Sequence, residues 1–137
     1  MIFPVHPRTL KMLKKFKLLA RIKRCKNIKI TEPIGYLDMI CLEKSALKII
    51  TDSGGVQKES YFFKIPCVTL RDRTEWTETL KNGWNTLTGT DIKKILRASE
   101  TIMAKKPHPN YYGTGQTSEK IVNIIINRGI KANGQSR

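Results

Sequence analysis

Thr51, Asp52, Ser53, Gly54 and Gly55, followed by Glu59, are the residues whose types and spacing could do chemistry. An apolar run of Leu47, Ile49 and Ile50 reads as a buried strand. It stops at Thr51-Asp52-Ser53, whose short oxygen-bearing side chains suit a helix N-cap. Two glycines in the first turn of the following helix leave backbone N–H groups uncovered, at the end that the peptide dipoles make positive. Such an end seats a phosphate. Glu59, about one and a half turns further on, lies near the face carrying Val56 and Phe63, within reach of sugar hydroxyls. The chemistry indicated is recognition of a nucleotide sugar. The same Ser and Gly also suit an ordinary tight turn, so the stretch by itself leaves both readings open.

Other reactive side chains are sparse. Cys25, Cys41 and Cys67 are odd in number and far apart, with no CxxC pair and only His6 and His108 to help them. Reduced, mostly buried thiols are expected, with no metal site. The carboxylates Asp38, Asp52, Asp72, Glu75 and Glu78 form no evident acid–base pair.

The elements that must position the glycine turn alternate along the chain. Met1 to Val5 reads as the end of a strand, broken by Pro4 and Pro7 around His6. A helix is predicted from Thr9 to Arg24, then a strand from Ile28 to Thr31 and a turn at Glu32-Pro33-Ile34-Gly35. Tyr36 to Ser45 is a helix with Leu37, Ile40 and Cys41 on one face, followed by the strand Leu47 to Thr51 and a helix from Val56 to Phe63 that Pro66 stops. Cys67 to Leu70 is a buried strand; Thr74 caps a short helix through Leu80, closed by Asn82-Gly83; Asn85 to Thr88 is a last strand. Asp91 caps a helix carrying Ile92, Ile95, Leu96, Ser99, Ile102 and Met103 at helical period. Thr117 to Arg128 is the final helix, faced by Ile121, Ile124 and Ile125, against which Tyr111 and Tyr112 could pack. The expected organisation is one partial domain over residues 1–128 and a frayed polar tail over 129–137. Strands alternating with helices imply an α/β fold with a parallel sheet, and ligands then bind beyond the C-terminal strand ends, where the glycine turn lies.

Composition narrows the partners. The 137 residues and 39% hydrophobic content suit a soluble domain with its own core. No apolar run approaches the ~18 residues of a membrane span, and no signal-peptide layout opens the chain, so a cytoplasmic protein is expected. The net charge of +15 is concentrated between Lys11 and Lys29. Nucleic acid could use such a patch, but Met12, Phe16, Leu19 and Ala20 recur there at helical spacing and no aromatic interleaving accompanies the charge. An amphipathic helix with a solvated basic face is the favoured reading, and its field also attracts an anionic nucleotide sugar.

Five segments in order, FPVHPRT, EPIGYLDM, TDSGGVQKES, TLRDRTEW and NYYGTGQTSEKI, resemble the non-hydrolysing UDP-N-acetylglucosamine 2-epimerases over nearly the whole chain. Hydrolysing relatives tend to carry a serine-rich turn in place of TDSGG. The resemblance implies the second, UDP-binding domain of a two-domain, glycosyltransferase-B-like architecture, here an incomplete doubly wound (Rossmann-like) parallel sheet. Matched position by position, Ser53, Gly54 and Gly55 would bind the diphosphate and Glu59 the ribose. Ile34 to Met39, including Tyr36, would hold the uracil. His6 would face the cleft near a regulatory or neighbouring nucleotide sugar. Trp76 would lie by the substrate, at a position where many bacterial members carry arginine.

The family reaction eliminates UDP from C1 with loss of the C2 proton and adds it back with the proton on the other face. The carboxylates of that chemistry belong to the first domain and an essential histidine to the opening strand-turn of the second, so no catalytic residue is expected in this chain and no cofactor is required. UDP-N-acetylglucosamine and UDP are the implied ligands, and a first-domain chain or a homo-oligomer the implied protein partner. In a doubly wound sheet of order 3-2-1-4-5-6 the first strand is central, and it is the one expected to be lacking. The second and fourth strands must then pair directly, leave open edges or receive a strand from another chain. Two other readings stand beside this one: a UDP-sugar glycosyltransferase half-domain, and a non-catalytic basic module binding anionic partners.

Overall fold

The computed structural model describes residues 1–101 and 107–133, with side chains through 127. Five short strands are β1 (Ile2–Pro4), β2 (Lys29–Thr31), β3 (Ile49–Thr51), β4 (Cys67–Thr69) and β5 (Asn85–Leu87). The helices are α1 (Pro7–Lys15), α2 (Leu19–Lys23), α3 (Tyr36–Lys44), α4 (Gly54–Phe62), α5 (Thr77–Leu80), α6 (Ile92–Glu100) and α7 (Thr117–Asn133). Every strand pairing is parallel: β1 with β2, β3 with β4, and β4 with β5. β1 and β2 form one sheet and β3-β4-β5 another, so among the described residues the strands flanking the expected gap do not pair directly with each other. The α/β, parallel-sheet expectation holds.

The expected helix from Thr9 to Arg24 is two helices. It begins earlier, at Pro7, where Nδ1 of His6 accepts from the Arg8 amide at 3.2 Å. It breaks at Lys17, whose φ is 56°. Around that residue the amide of Lys17 donates to Lys14 and that of Leu18 to Leu13, the paired bonds that close a helix with a left-handed residue. Lys64, with φ 59°, closes α4 in the same way through Tyr61 and Ser60, two residues before Pro66. The helix capped by Asp91 forms as read, with Asp91 Oδ1 accepting from the Lys94 amide at 3.0 Å; Ile102 and Met103 lie outside the described residues. The last helix continues past Gly129 to Asn133, and 134–137 are likewise outside.

Burial corrects the apolar expectations. Leu47 lies before β3 and is 94% exposed, and Ile50 is also exposed. Leu37 and Cys41 of α3 are exposed while Glu43 is buried, and two of the three thiols, Cys25 and Cys41, face solvent. Met12 on α1 and Phe16 at its C-cap are exposed, as are Ile121, Ile124 and Ile125 on α7. These helical stripes are amphipathic as read, yet among the described residues much of the apolar side is left uncovered. The packed centre is built from Val5, Ile49, Tyr61, Cys67 and Val68 together with buried Gln57, Ser60, Thr69, Thr79, Asn85 and Thr88. Most of their polar atoms are paired, with one another or with backbone carbonyls, while Gln57 Nε2 has no partner. Asn85 Nδ2 donates to Gln57 Oε1 at 3.2 Å and to Thr79 Oγ1 at 3.0 Å, and Thr69 Oγ1 donates to Asn85 Oδ1 at 2.6 Å. Thr74 Oγ1 completes the set by donating to Gln57 Oε1 at 2.6 Å.

Candidate functional site

The glycine turn lies where β3 delivers the chain into α4. Thr51 Oγ1 accepts from the Ser53 amide at 3.0 Å, turning the backbone, and Ser53 Oγ accepts from the Val56 amide at 3.5 Å as the N-cap of α4. That single long bond leaves the amides at the start of the helix largely to solvent, with no side chain on Gly54 or Gly55 to screen them. A Cβ on Gly54 would come to 3.2 Å from Glu75 Oε1 and 3.5 Å from Trp76 Nε1, whereas one on Gly55 would meet only Ser53 Oγ at 3.8 Å. The seat therefore has one walled side and one open side. α4 is held in place from beneath by Gln57, fully buried in the network that reaches β4 and β5.

The wall is the segment between β4 and α5. Arg71 Nη1 pairs with Glu75 Oε2 at 3.1 Å, and the Glu75 carboxyl is held below the usual range chiefly by its own backbone amide, with Arg71 assisting against an opposing effect of desolvation. Trp76 occupies the N-cap position of α5 with no side-chain bond of its own. Thr74, read as that helix's cap, supports it by accepting from the Trp76 amide at 3.1 Å, and the helix starts later, at Thr77. The Trp76 indole nitrogen is buried without a hydrogen-bond partner. Lys58 Nζ stands 4.5 Å from the Trp76 ring centroid and 4.9 Å from that of Tyr112, a cation held between two aromatic faces. Burial, with Glu78 and Tyr61 adding to it, pushes the Tyr112 hydroxyl up to about 12.

Ser53, Gly54, Gly55 and Trp76 are thus brought together, and Glu59 follows, half-buried, on the same helix. Ile34, Tyr36 and Met39 sit at the entry to α3: Ile34 and Tyr36 are exposed and Met39 is half-buried. His6 belongs to the β1–α1 turn and serves as a helix cap. Tyr111 and Tyr112 pack on Tyr61 of α4, with His108 stacked 4.1 Å from it, so the tyrosines brace α4, whereas the sequence reading had them packing the final helix. Glu75, Lys58 and Gln57 escaped the sequence reading, because their part depends on contacts across the fold. Among the described residues no group of acidic, histidine or cysteine side chains could hold a metal, and no helix is long and apolar enough to cross a membrane.

Comparison with known proteins gives the chain a family. Residues 1–126 match the family model described as UDP-N-acetylglucosamine 2-epimerase. A UDP-N-acetylglucosamine 2-epimerase homolog of Methanococcus maripaludis is 53% identical over 92% of this chain and 36% of its own length. A UDP-N-acetylglucosamine 2-epimerase of Methanocaldococcus jannaschii is 49% identical over 90% of this chain and 34% of its own. The solved structure of the UDP-GlcNAc 2-epimerase from Methanocaldococcus jannaschii superposes with a TM-score of 0.83 at 47% identity, covering 92% of this chain and 35% of that one. A second structure of the Methanocaldococcus jannaschii enzyme, in complex with UDP-GlcNAc and UDP, gives a TM-score of 0.80 at 46% identity, with the same 92% and 35% coverage. The chain spans about a third of the length of the relatives it matches. The family model, the sequence identities and the backbone superposition agree, and the chain belongs to the UDP-N-acetylglucosamine 2-epimerase family.

Proposed function

We propose that this chain is the UDP-binding part of an enzyme that interconverts UDP-N-acetylglucosamine and UDP-N-acetylmannosamine. The carrying observation is the open N-terminus of α4, where Gly54 and Gly55 leave backbone donors uncovered beyond the C-terminal end of β3. In this reading the diphosphate oxygens accept from those amides. Ser53 Oγ, already accepting from Val56, keeps its proton to donate. The unpartnered Trp76 N–H beside Gly54 is a further donor for the same anion, in the place of a cationic side chain. Glu59 takes the ribose hydroxyls, and Ile34 to Met39, with Tyr36, the uracil. His6, whose Nδ1 is used in capping, keeps Nε2 for a neighbouring nucleotide sugar.

The chemistry is an elimination followed by its reversal. The C2 proton leaves to a base as the C1–O bond breaks, which yields a C1=C2 glycal and UDP; UDP oxygen then re-forms the bond to C1 while a proton reaches C2 from the opposite face. Groups on both sides of C2 are needed, with pKa values set by their surroundings. They are assigned to the first domain of the family and to the opening of the second, and the residues here bind and orient the departing UDP. A first-domain polypeptide or a further copy of the chain completes the enzyme. The three free thiols fit a reducing compartment, and cytoplasm is the proposed location.

Calorimetric titration of the purified chain with UDP tests the site. The parent should bind and Ser53→Asp, which places a carboxylate in the seat, should bind at least ~10-fold more weakly. A folded parent that takes up no UDP would overturn the reading.

A further inference from the structure

We propose that Lys58 supplies the positive charge that meets the diphosphate at the glycine turn, with Trp76 and Tyr112 as the pair of rings that positions it; the proposal rests on the UDP-binding reading of that turn. Lys58 stands four residues after Gly54 on α4, which places the two on one face, about 6 Å apart along the axis. Side chains on a helix lean toward its N-terminus, so the lysine stem runs back over the turn that the glycines leave bare. The contacts agree with that direction. Trp76 Nε1 lies 3.5 Å from where a Cβ of Gly54 would be, and Lys58 Nζ is 4.5 Å from the centroid of the same ring system.

Two rings fix the ammonium there. Tyr112 stands at 86° to Trp76 with the centroids 6.0 Å apart, and Lys58 Nζ is 4.9 Å from the Tyr112 centroid. An ammonium in such a corner is attracted by both rings and keeps its N–H donors for an acceptor on the open side. Lys58 is half-buried, yet among the described residues its ammonium makes no ion pair and no hydrogen bond. The rings hold the cation without neutralising it.

The balance of charge around the turn gives that cation its ligand. Asp52 precedes the turn, Glu59 follows it and Glu75 walls it, so three carboxylates surround the place where an anion is to sit. Arg71 is committed to Glu75 at 3.1 Å. The start of α4 contributes only about half a positive charge, too little for a diphosphate among those carboxylates. Arg73, on the wall segment, is exposed and among the described residues makes neither an ion pair nor an aromatic contact, so nothing holds it in one place. Lys58 is the cation that is both fixed and uncommitted.

Titration of the whole chain with UDP and with uridine, each followed by amide chemical shifts, tests the assignment. Lys58→Met keeps the stem and should weaken UDP at least ~10-fold while leaving uridine, which carries no phosphate, within ~2-fold. Lys58→Arg should recover most of the UDP affinity. Tyr112→Leu, verified as folded by its thermal midpoint, should weaken UDP at least ~3-fold in the parent and have no further effect beside Lys58→Met, the coupling of a residue that acts through the lysine. Equal UDP binding by the parent and Lys58→Met would overturn the proposal and leave the reading of the glycine turn standing. An equal loss for UDP and uridine, the sign of a distorted helix, would overturn it in the same way. A folded parent that takes up no UDP would overturn both.

Discussion

The side-chain amide of Asn85 on β5 donates to Gln57 Oε1 on α4 at 3.2 Å, so the helix that opens on the candidate phosphate seat is tied to the far strand through two buried polar side chains. The same Asn85 accepts from Thr69 and donates to Thr79. Asn85→Ala would leave the Thr69 hydroxyl without its acceptor and take one bond each from Gln57 Oε1, which keeps Thr74, and Thr79 Oγ1, which keeps the Trp76 carbonyl. An unsatisfied buried group costs about 1–3 kcal/mol, and the lost side chain leaves a gap besides. A loss of roughly 3 kcal/mol in urea unfolding is expected. A loss below about 1 kcal/mol would show that water replaces the amide.

Lys48 makes a second long-range tie. Its ammonium donates to the carbonyls of Ala98, Ser99 and Thr101 at 2.6, 2.9 and 2.7 Å, satisfying the C-terminal end of α6. Burial lowers its pKa. Lys48→Met keeps the aliphatic stem and removes the donors, so stability should fall by about 2 kcal/mol. Exchange protection should fall first in the last turn of α6, which identifies the cause.

Gly54→Ala separates binding from stability. The added methyl would meet the flexible end of Glu75 at 3.2 Å, which can move aside, and alanine favours the helix. The thermal midpoint should shift by only a few degrees, since ~1 kcal/mol corresponds to about 4–8 °C in a domain of this kind. UDP affinity should fall at least ~10-fold because the methyl shields the amides on the walled side of the seat.

Glu43 predicts a pH dependence. It is 2% exposed, neither carboxyl oxygen has a partner, and burial with the nearby charge of Glu59 pushes its pKa up to about 7. The folded state thus holds this proton more tightly than the unfolded chain. Stability should be highest below the unfolded value of 4.5, decline as pH rises through it, and level off above about 7. The total contribution is at most about 3 kcal/mol. Glu43→Gln should flatten the curve and be the more stable form at pH 8, as measured by urea midpoints across the range.

Much of this was legible locally. The caps at Ser53 and Asp91 form because a short oxygen can reach an amide three residues on, and that requires nothing beyond neighbouring sequence. The strand-to-helix turn carrying the glycines was readable for the same reason. The helix break at Lys17 was hidden, since a left-handed lysine leaves no glycine to mark it, whereas the end of α4 beside Lys64 was marked by Pro66. Leu47 and Leu37 were misread because an apolar side chain signals a buried face only if the chain supplies something to cover it. Trp76 could be named from the sequence, whereas the neighbours that place it, Glu75 and Lys58, come from contacts that periodicity does not encode.

The two tryptophans stand in different settings, and this gives the protein built-in optical reporters. Trp76 lies beside Gly54, under Lys58, while Trp84 sits edge-on to His108 and Tyr61 with its indole N–H on the Pro107 carbonyl at 3.0 Å. An anion arriving at the glycine turn changes the field around the first ring and leaves the second in its aromatic packing. With either tryptophan replaced by phenylalanine, emission from the other reads occupancy and folding as separate signals, without any attached dye.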